Sequence, residues 1–323
     1  MSKAPMNIVI AINRKYIRYS YVLLTSLLRN HSRTIHVYIL HHQLTAEDEA
    51  VFAPLASSYD VSFHFIYVKD SLLPTKEVLS TSEWGMEAYF RLAIVDLLPK
   101  DITRALYLDS DIIIHDSLDS FYDCDMGDYK IAACAEFDDK PPYNSYRDEL
   151  FQEFFDDNFS YFNSGVVLYN LSELRPKYCF DYYMQIAKKL NYQIKFPDQD
   201  LLNYCHHGET LYADTFRYNL NARYAHDQYN IDYQKLTESA VVVHYATSKP
   251  WRSNYLHQNN EQLWWDYAKH TPFYKELLEE MIQELIMDNS INSYVVGLLT
   301  ENQKLYGKID SYDLMLKDAG IIV

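Results

Sequence analysis

Two aspartates one residue apart, Asp109 and Asp111, interrupt the apolar stretch LYLDSDIIIHDSL at residues 106–118. In an extended segment, residues i and i+2 project to the same face, so the pair is expected to converge on one point. Converging carboxylates repel unless a proton or a cation lies between them. A divalent metal answers that repulsion. Oxygen donors suit Mg2+ or Mn2+, and such ions also take phosphate oxygens from a substrate. The spacing alone is not diagnostic, because Asp123/Asp125 and Asp198/Asp200 repeat it. Only Asp109 closes a clean apolar strand in an alternating pattern. The plain alternative is a solvated strand end.

Three further stretches carry polar groups suited to the same chemistry. In VVVHYATSKPW, residues 241–251, His244 ends an apolar run and Lys249 follows. An imidazole can complete a carboxylate metal site, and a lysine can face phosphate as a point charge. The alternative is a strand-end histidine bonded to backbone. In YFNSGVVLYNL, residues 161–171, Asn163, Ser164 and Gly165 mark a close approach of backbone to something, with Asn163 able to bond sugar hydroxyls. The alternative is an ordinary turn. In FPDQDLLN, residues 196–203, Pro197 signals a helix start with Asp198, Gln199 and Asp200 in its first turn. The alternative there is simple compensation of the helix dipole.

These groups need elements to hold them. Residues 7–12 read as a buried strand, 34–40 and 61–68 as a second and a third strand, and 104–109 is the strand carrying the Asp pair. Helical spacing covers 17–30, 45–58 and 86–98, the last ending at Pro99. Alternation of this kind predicts an α/β fold with a mostly parallel sheet, whose ligands bind at the carboxyl ends of the strands. The second half is less regular, with strands expected at 129–135, 165–169 and 240–245 and helices at 172–190 and 199–206. The reading divides the chain into a catalytic unit, 1–270, and a helical extension, 271–323. In the extension, Ile291, Val295, Leu298, Asn302, Leu305, Ile309, Tyr312 and Leu316 trace a heptad seam. Gly297 and Gly307 oppose it, each at a cost of about 1 kcal/mol relative to Ala. The seam fits either a homodimer or a helix packed on its own domain.

Composition narrows the partners. A chain of 323 residues with 48% hydrophobic content can bury a large core. Its net charge of −16 disfavours nucleic acid. The 31 tyrosines offer flat faces and hydroxyls for sugars or bases, though most are expected in the core. Cys124, Cys134, Cys179 and Cys205 are scattered, which indicates free thiols in a reducing compartment. No signal peptide and no apolar run long enough to span a bilayer are visible, so a cytoplasmic location is expected.

The ordered set IVIAIN, AYFRL, LYLDSDIIIHDSL, YFNSGVVLYNL, FPDQDLLN and HYATSKPW, within residues 7–252, resembles the retaining glycosyltransferases of family 8. That family includes bacterial lipopolysaccharide galactosyl- and glucosyltransferases and glycogenin. The resemblance implies a GT-A fold, a UDP-linked donor such as UDP-glucose or UDP-galactose, and Mn2+ or Mg2+. It also implies a glycan, glycolipid or glycoprotein acceptor. By the same resemblance, Asp109, Asp111 and His244 are metal ligands, with Ser110 between the aspartates. Ala11, Ile12, Asn13, Lys15 and Tyr16 fall at the nucleoside. Arg91 falls where the donor is held; Asn163, Ser164, Asp198 and Gln199 fall at the donor sugar, and Lys249 at the diphosphate. The chain departs from the pattern where Asn13 replaces Asp, Lys15 replaces Asn and Glu136 replaces Asp. The loop after His244 is also short and lacks the usual Gly. Gln199 is expected to support the reacting carbon without acting as a nucleophile, because an amide oxygen is a weak one. Two rivals are a phosphohydrolase using Asp109 as nucleophile and a non-catalytic scaffold. The first wants a small Thr or Val where Ile113 stands.

Overall fold

In the computed structural model the described residues are 3–74, 85–136, 149–154, 160–252, 259–287 and 304. The first strands are β1 (Met6–Ala11), β2 (Ile35–His41), β3 (Val61–Tyr67), β4 (Arg104–Leu108) and β5 (Ile112–Ile114). They are followed by β6 (Ile131–Ala135), β7 (Phe162–Asn170), β8 (Thr210–Ala213), β9 (Leu220–Asn221) and β10 (Val242–His244). Seven of them form one sheet in the order β3-β2-β1-β4-β7-β6-β8. Pairing is parallel throughout except on the two flanks of β7, so β7 alone is reversed. The smaller sheet, β5-β10-β9, pairs Val242 with Ile114 and His244 with Ile112 in antiparallel register.

Both faces of the large sheet are covered at its centre, which is why β1, β2, β4 and β7 read as continuous apolar runs. Ile8, Ile10, Leu106 and Leu108 pack on one side with Leu23, Leu24 and Leu27 of helix α1 (Ile17–Arg29). Val9, Tyr107, Ala133 and Val167 pack on the other with Phe90 and Leu92. Full burial of each Ile, Leu, Val or Phe among them contributes roughly 1.5–3 kcal/mol. The polar groups on α1 find partners. Ser26 Oγ accepts from Ile114 N at 3.0 Å, and Ser20 Oγ lies 3.1 Å from Ser110 Oγ. The helix thus contacts the middle of the short segment between β4 and β5 and the far end of β5.

Some expected elements are broken, each for a local reason. The helix expected over 45–58 is two, Ala46–Ala50 and Ala53–Ser58, because Pro54 cannot donate within a continuing helix. Its first piece starts with a capping box between Thr45 and Asp48. The helix expected over 172–190 is divided by Pro176 into Leu171–Leu174 and Phe180–Lys189. Residues Met86–Ala93 form a tighter 3-10 helix that becomes α-helical only at Ile94–Leu97. Helix α2 (Pro197–Cys205) begins at the expected proline. The cysteines are free thiols.

Helix α3 (Gln262–Ala268) supplies Trp264, buried beside Trp251, to a third apolar cluster. Helix α4 (Tyr274–Met287) adds buried Leu277 to that cluster. Arg18 pairs with Glu276 at 2.7 Å and with Glu280, and Arg252 pairs with Glu284 at 2.6 Å. The eight residues of the heptad seam, from Ile291 to Leu316, lie outside the described residues. Among the described residues no helix is long and apolar enough to cross a membrane.

Candidate active site

The carboxyl end of the large sheet opens onto a cavity of about 460 Å3. Arg91, Asp109, Asp111, Glu136, Asn163, Ser164, Asp198, Gln199, His244 and Lys249 line it. A second cavity of about 540 Å3, beside Glu149, Glu153, Lys189 and Tyr204, gathers no comparable set. Asp109, Asp111 and His244 are the trio among the described residues whose ligand atoms all fall within 4.8 Å of one another.

The Asp pair converges, but by a different local route from the one expected. Residues 109–111 form a tight connection between β4 and β5 and are not extended. The chain leaves the large sheet at Leu108 and joins the small one at Ile112. Asp109 N donates to Gly165 O at 2.9 Å, and Tyr245 N donates to Asp111 O at 2.9 Å. These bonds fix the backbone on both sides of the turn. His244 Nε2 lies 3.2 Å from Asp111 Oδ1 and 3.9 Å from Asp109 Oδ2. Gly165 completes the cradle. A Cβ there would lie 2.8 Å from Asp109 Oδ2 and closer still to His244 Cε1. It sits where the β6–β7 register slips between Ala133 and Cys134, so the strand bulges toward the aspartates.

Arg91 organises the acids behind this point. Its Nη2 donates to Asp109 Oδ1 at 2.8 Å, and its Nε lies 3.1 Å from Asp198 Oδ2. Its Nη1 donates to Ser164 O at 2.7 Å, and the guanidinium lies over the Tyr107 ring. Burial disfavours the Arg91 charge, but Asp109 and Asp198 outweigh it and hold its pKa above the ordinary value. Burial also works against the Asp111 carboxylate, yet Lys249 and then His244 hold it well below the usual carboxylate range. Asp198 goes the other way. Burial raises its pKa against the opposing pull of Arg91 and a 2.8 Å bond from Ser164 Oγ.

Gln199 sits at the centre of a hydrogen-bond network. Its Oε1 accepts from Ser164 N at 3.0 Å and Asn163 Nδ2 at 3.1 Å. Its Nε2 donates to Glu136 Oε1 at 2.8 Å and to Tyr161 OH at 3.2 Å. Lys249 Nζ contacts Asp111 Oδ2 and donates to Tyr245 O at 3.0 Å.

Ala11, Ile12, Asn13, Lys15, Tyr16 and Ser110 are not among the residues lining this cavity. The Ile12 side chain is buried in the core, with its N–H bonded to Leu40 O at 3.0 Å. Asn13 caps the turn Arg14–Tyr16 by accepting from Lys15 N at 3.0 Å. The Tyr16 hydroxyl is raised by burial and also feels Lys249 and Asp111, which puts it beside the site's rim.

The sequence reading did not single out Asn219, Asn221, Thr215, Tyr224 or Thr247, which also line the cavity. Asn219 Oδ1 lies 2.9 Å from His244 Nδ1. Asn221 accepts from Arg223 N at 3.1 Å and so caps the helix Ala222–Tyr229. The only signal in the sequence is the alternation Asn219-Leu220-Asn221 leading into that helix.

The donor set of two carboxylates and one imidazole fits a hard divalent ion, Mg2+ or Mn2+. The glycine cradle agrees with it.

A mixed, mostly parallel sheet with a carboxylate turn at its carboxyl edge defines a GT-A type α/β fold. The galactosyltransferase LgtC, solved with donor and acceptor sugar analogs, superposes with a TM-score of 0.68 at 24% identity, over 83% of this chain and 96% of that one. GlyE of Streptococcus pneumoniae superposes with a TM-score of 0.63 at 19% identity, over 87% and 64%. The sequence profile of glycosyl transferase family 8 matches residues 7–255, and the chain belongs to that family. A lipopolysaccharide 1,2-glucosyltransferase of Escherichia coli is 27% identical over 76% of this chain and 73% of its own. A putative glycosyltransferase of Haemophilus influenzae is 28% identical over 61% of this chain, and the match spans 58% of that protein's length.

Proposed function

We propose that the chain transfers a hexose, glucose or galactose, from a UDP-sugar to a glycan, glycolipid or glycoprotein acceptor. The reaction retains anomeric configuration and depends on Mn2+ or Mg2+. The observation that carries this reading is the meeting of Asp109, Asp111 and His244, from distant parts of the chain, in one cavity. A bound ion supplies Lewis-acid stabilisation of charge growing on the leaving diphosphate. Lys249 adds a positive charge on the same side. Arg91 bonds both Asp109 and Asp198 and so fixes their positions. Asp198 offers an acceptor to sugar hydroxyls. Both ends of the Gln199 amide are held by protein groups, so it presents a fixed dipole near the reacting carbon and is no nucleophile. The nucleoside falls to the end of β1, Ala11 to Tyr16.

The phosphohydrolase rival would attack through Asp109, whose Oδ1 is held by Arg91 Nη2 and Tyr107 OH at 2.8 and 3.0 Å, and it wants a small Thr or Val where Ile113 stands. We place the protein in the cytoplasm and assign the tail a self-associating role.

A donor screen tests the reading. With Mn2+ and no acceptor, UDP release from UDP-glucose or UDP-galactose is expected, and chelator abolishes it. A chain that shows neither release nor a thermal shift with UDP and Mn2+ is the scaffold instead. Phosphate release from a generic phosphoester supports the phosphohydrolase.

A further inference from the structure

His244 can serve as a ligand through Nε2 only when its proton resides on Nδ1. A network of polar groups behind the histidine bears on that choice. Gly165 N donates to Asn163 Oδ1 at 3.0 Å. A backbone N–H can only donate, so the Asn163 atom facing it must be oxygen. Asn163 Nδ2 then faces Gln199 Oε1, which accepts a second time from Ser164 N. Two backbone donors therefore fix the Asn163 and Gln199 amides in one orientation each.

The consequence passes to Asn219. Its Nδ2 donates to the same Asn163 Oδ1 at 3.1 Å. Its own oxygen is thereby turned to His244 Nδ1, 2.9 Å away. Asn219 and His244 are both buried. A proton on Nε2 alone would set an amide oxygen against a ring lone pair at that distance, two acceptors facing each other without a donor.

We propose that Asn219 is a positioning residue that sets the tautomer of His244, with Gly165 N–H as the ultimate reference through Asn163. The inference rests on the metal-site reading above. Asp111 Oδ1, 3.2 Å from Nε2, competes for the same proton, so the assignment can fail on measurement. Outer partners of ligating histidines orient the ring and typically tune metal affinity 10–100-fold.

The test uses the metal-free protein labelled with 15N-histidine, at a pH where the imidazole is neutral. The His244 signals are identified by their loss in His244→Asn. A pyrrole-type Nδ1 with a pyridine-type Nε2 is expected; the reverse pattern overturns the proposal without needing any Asn219 variant. Titration with Mn2+ follows on the unliganded protein. Asn219→Ala is expected to weaken binding about 10–100-fold. A merely structural role predicts a lower Tm for Asn219→Ala with Mn2+ affinity unchanged, and that result also overturns the proposal. If the unaltered protein binds no Mn2+ at all, the metal-site reading fails, whatever the tautomer.

Discussion

Replacing Gly165 with alanine should empty the proposed cation site while leaving the fold standing. Gly165 lies in β7 with a φ outside the left-handed region, so its backbone accepts a side chain. Space is the obstacle. The new methyl carbon would stand 2.8 Å from Asp109 Oδ2 and 3.0 Å from Asn163 Oδ1, and deeper still into the His244 ring. Comfortable separation is roughly 3.5 Å, so the Asp109 carboxylate must retreat by about 0.7 Å and the imidazole by more. Metal ligands tolerate only about 0.2 Å. Overpacking of this size costs about 1–3 kcal/mol of stability, within what a large domain survives. Mn2+ affinity is expected to fall by more than about 100-fold, a larger effect than loss of an outer partner. Calorimetric titration with Mn2+, alongside circular dichroism to confirm folding, reads both. A folded Gly165→Ala protein binding Mn2+ within about threefold of the parent would refute the reasoning, because the three ligands would not need this geometry.

Asp111→Asn should abolish Mn2+-dependent UDP release with little loss of Tm, because Lys249 is partly exposed and can turn to solvent; activity that persists in chelator would contradict it. Arg91→Met leaves Asp109 and Asp198 without their shared cation, and breaking a buried pair costs about 3–5 kcal/mol. Denaturant unfolding should show that loss, while an unchanged midpoint would mean the two acids find other partners. His206 and Tyr178 hold the Glu209 carboxyl down at about 2, below its usual 4.5. Its contribution to stability is therefore present above about pH 4.5 and is lost as pH falls through about 2. Glu209→Gln should accordingly lie below the parent in Tm at neutral pH and converge with it in acid. Sedimentation of the full chain against one stopped near residue 289 tests the tail: a dimer in the first and a monomer in the second is expected.

The central strands of the large sheet were legible because both of its faces are covered there, so each reads as a run of apolar residues, whereas the short, half-exposed edge strand β8 was missed. The convergence of Asp109 and Asp111 was legible, but its mechanism was not. Spacing in an extended chain foretold a shared face, whereas the pair rides a turn between two sheets. Broken helices escaped notice where one proline, Pro54 or Pro176, outweighed otherwise helical spacing. Arg91 carries no local signal that it serves two acids, which belong to segments remote in sequence; the resemblance alone pointed to it. Asn219 was invisible for a deeper reason. An asparagine in an irregular stretch has no periodicity to read, and its role depends on which amide end faces the histidine. That is decided by a glycine N–H on another strand.

The three proposed ligands straddle a joint. Asp109 ends a strand of the seven-stranded sheet, while Asp111 and His244 belong to the margin of the three-stranded one. A cation gripped by all three would rivet the two layers together, so its arrival should slow amide hydrogen exchange on both sides of the seam, around Leu108 and around Val243, and not on one side alone.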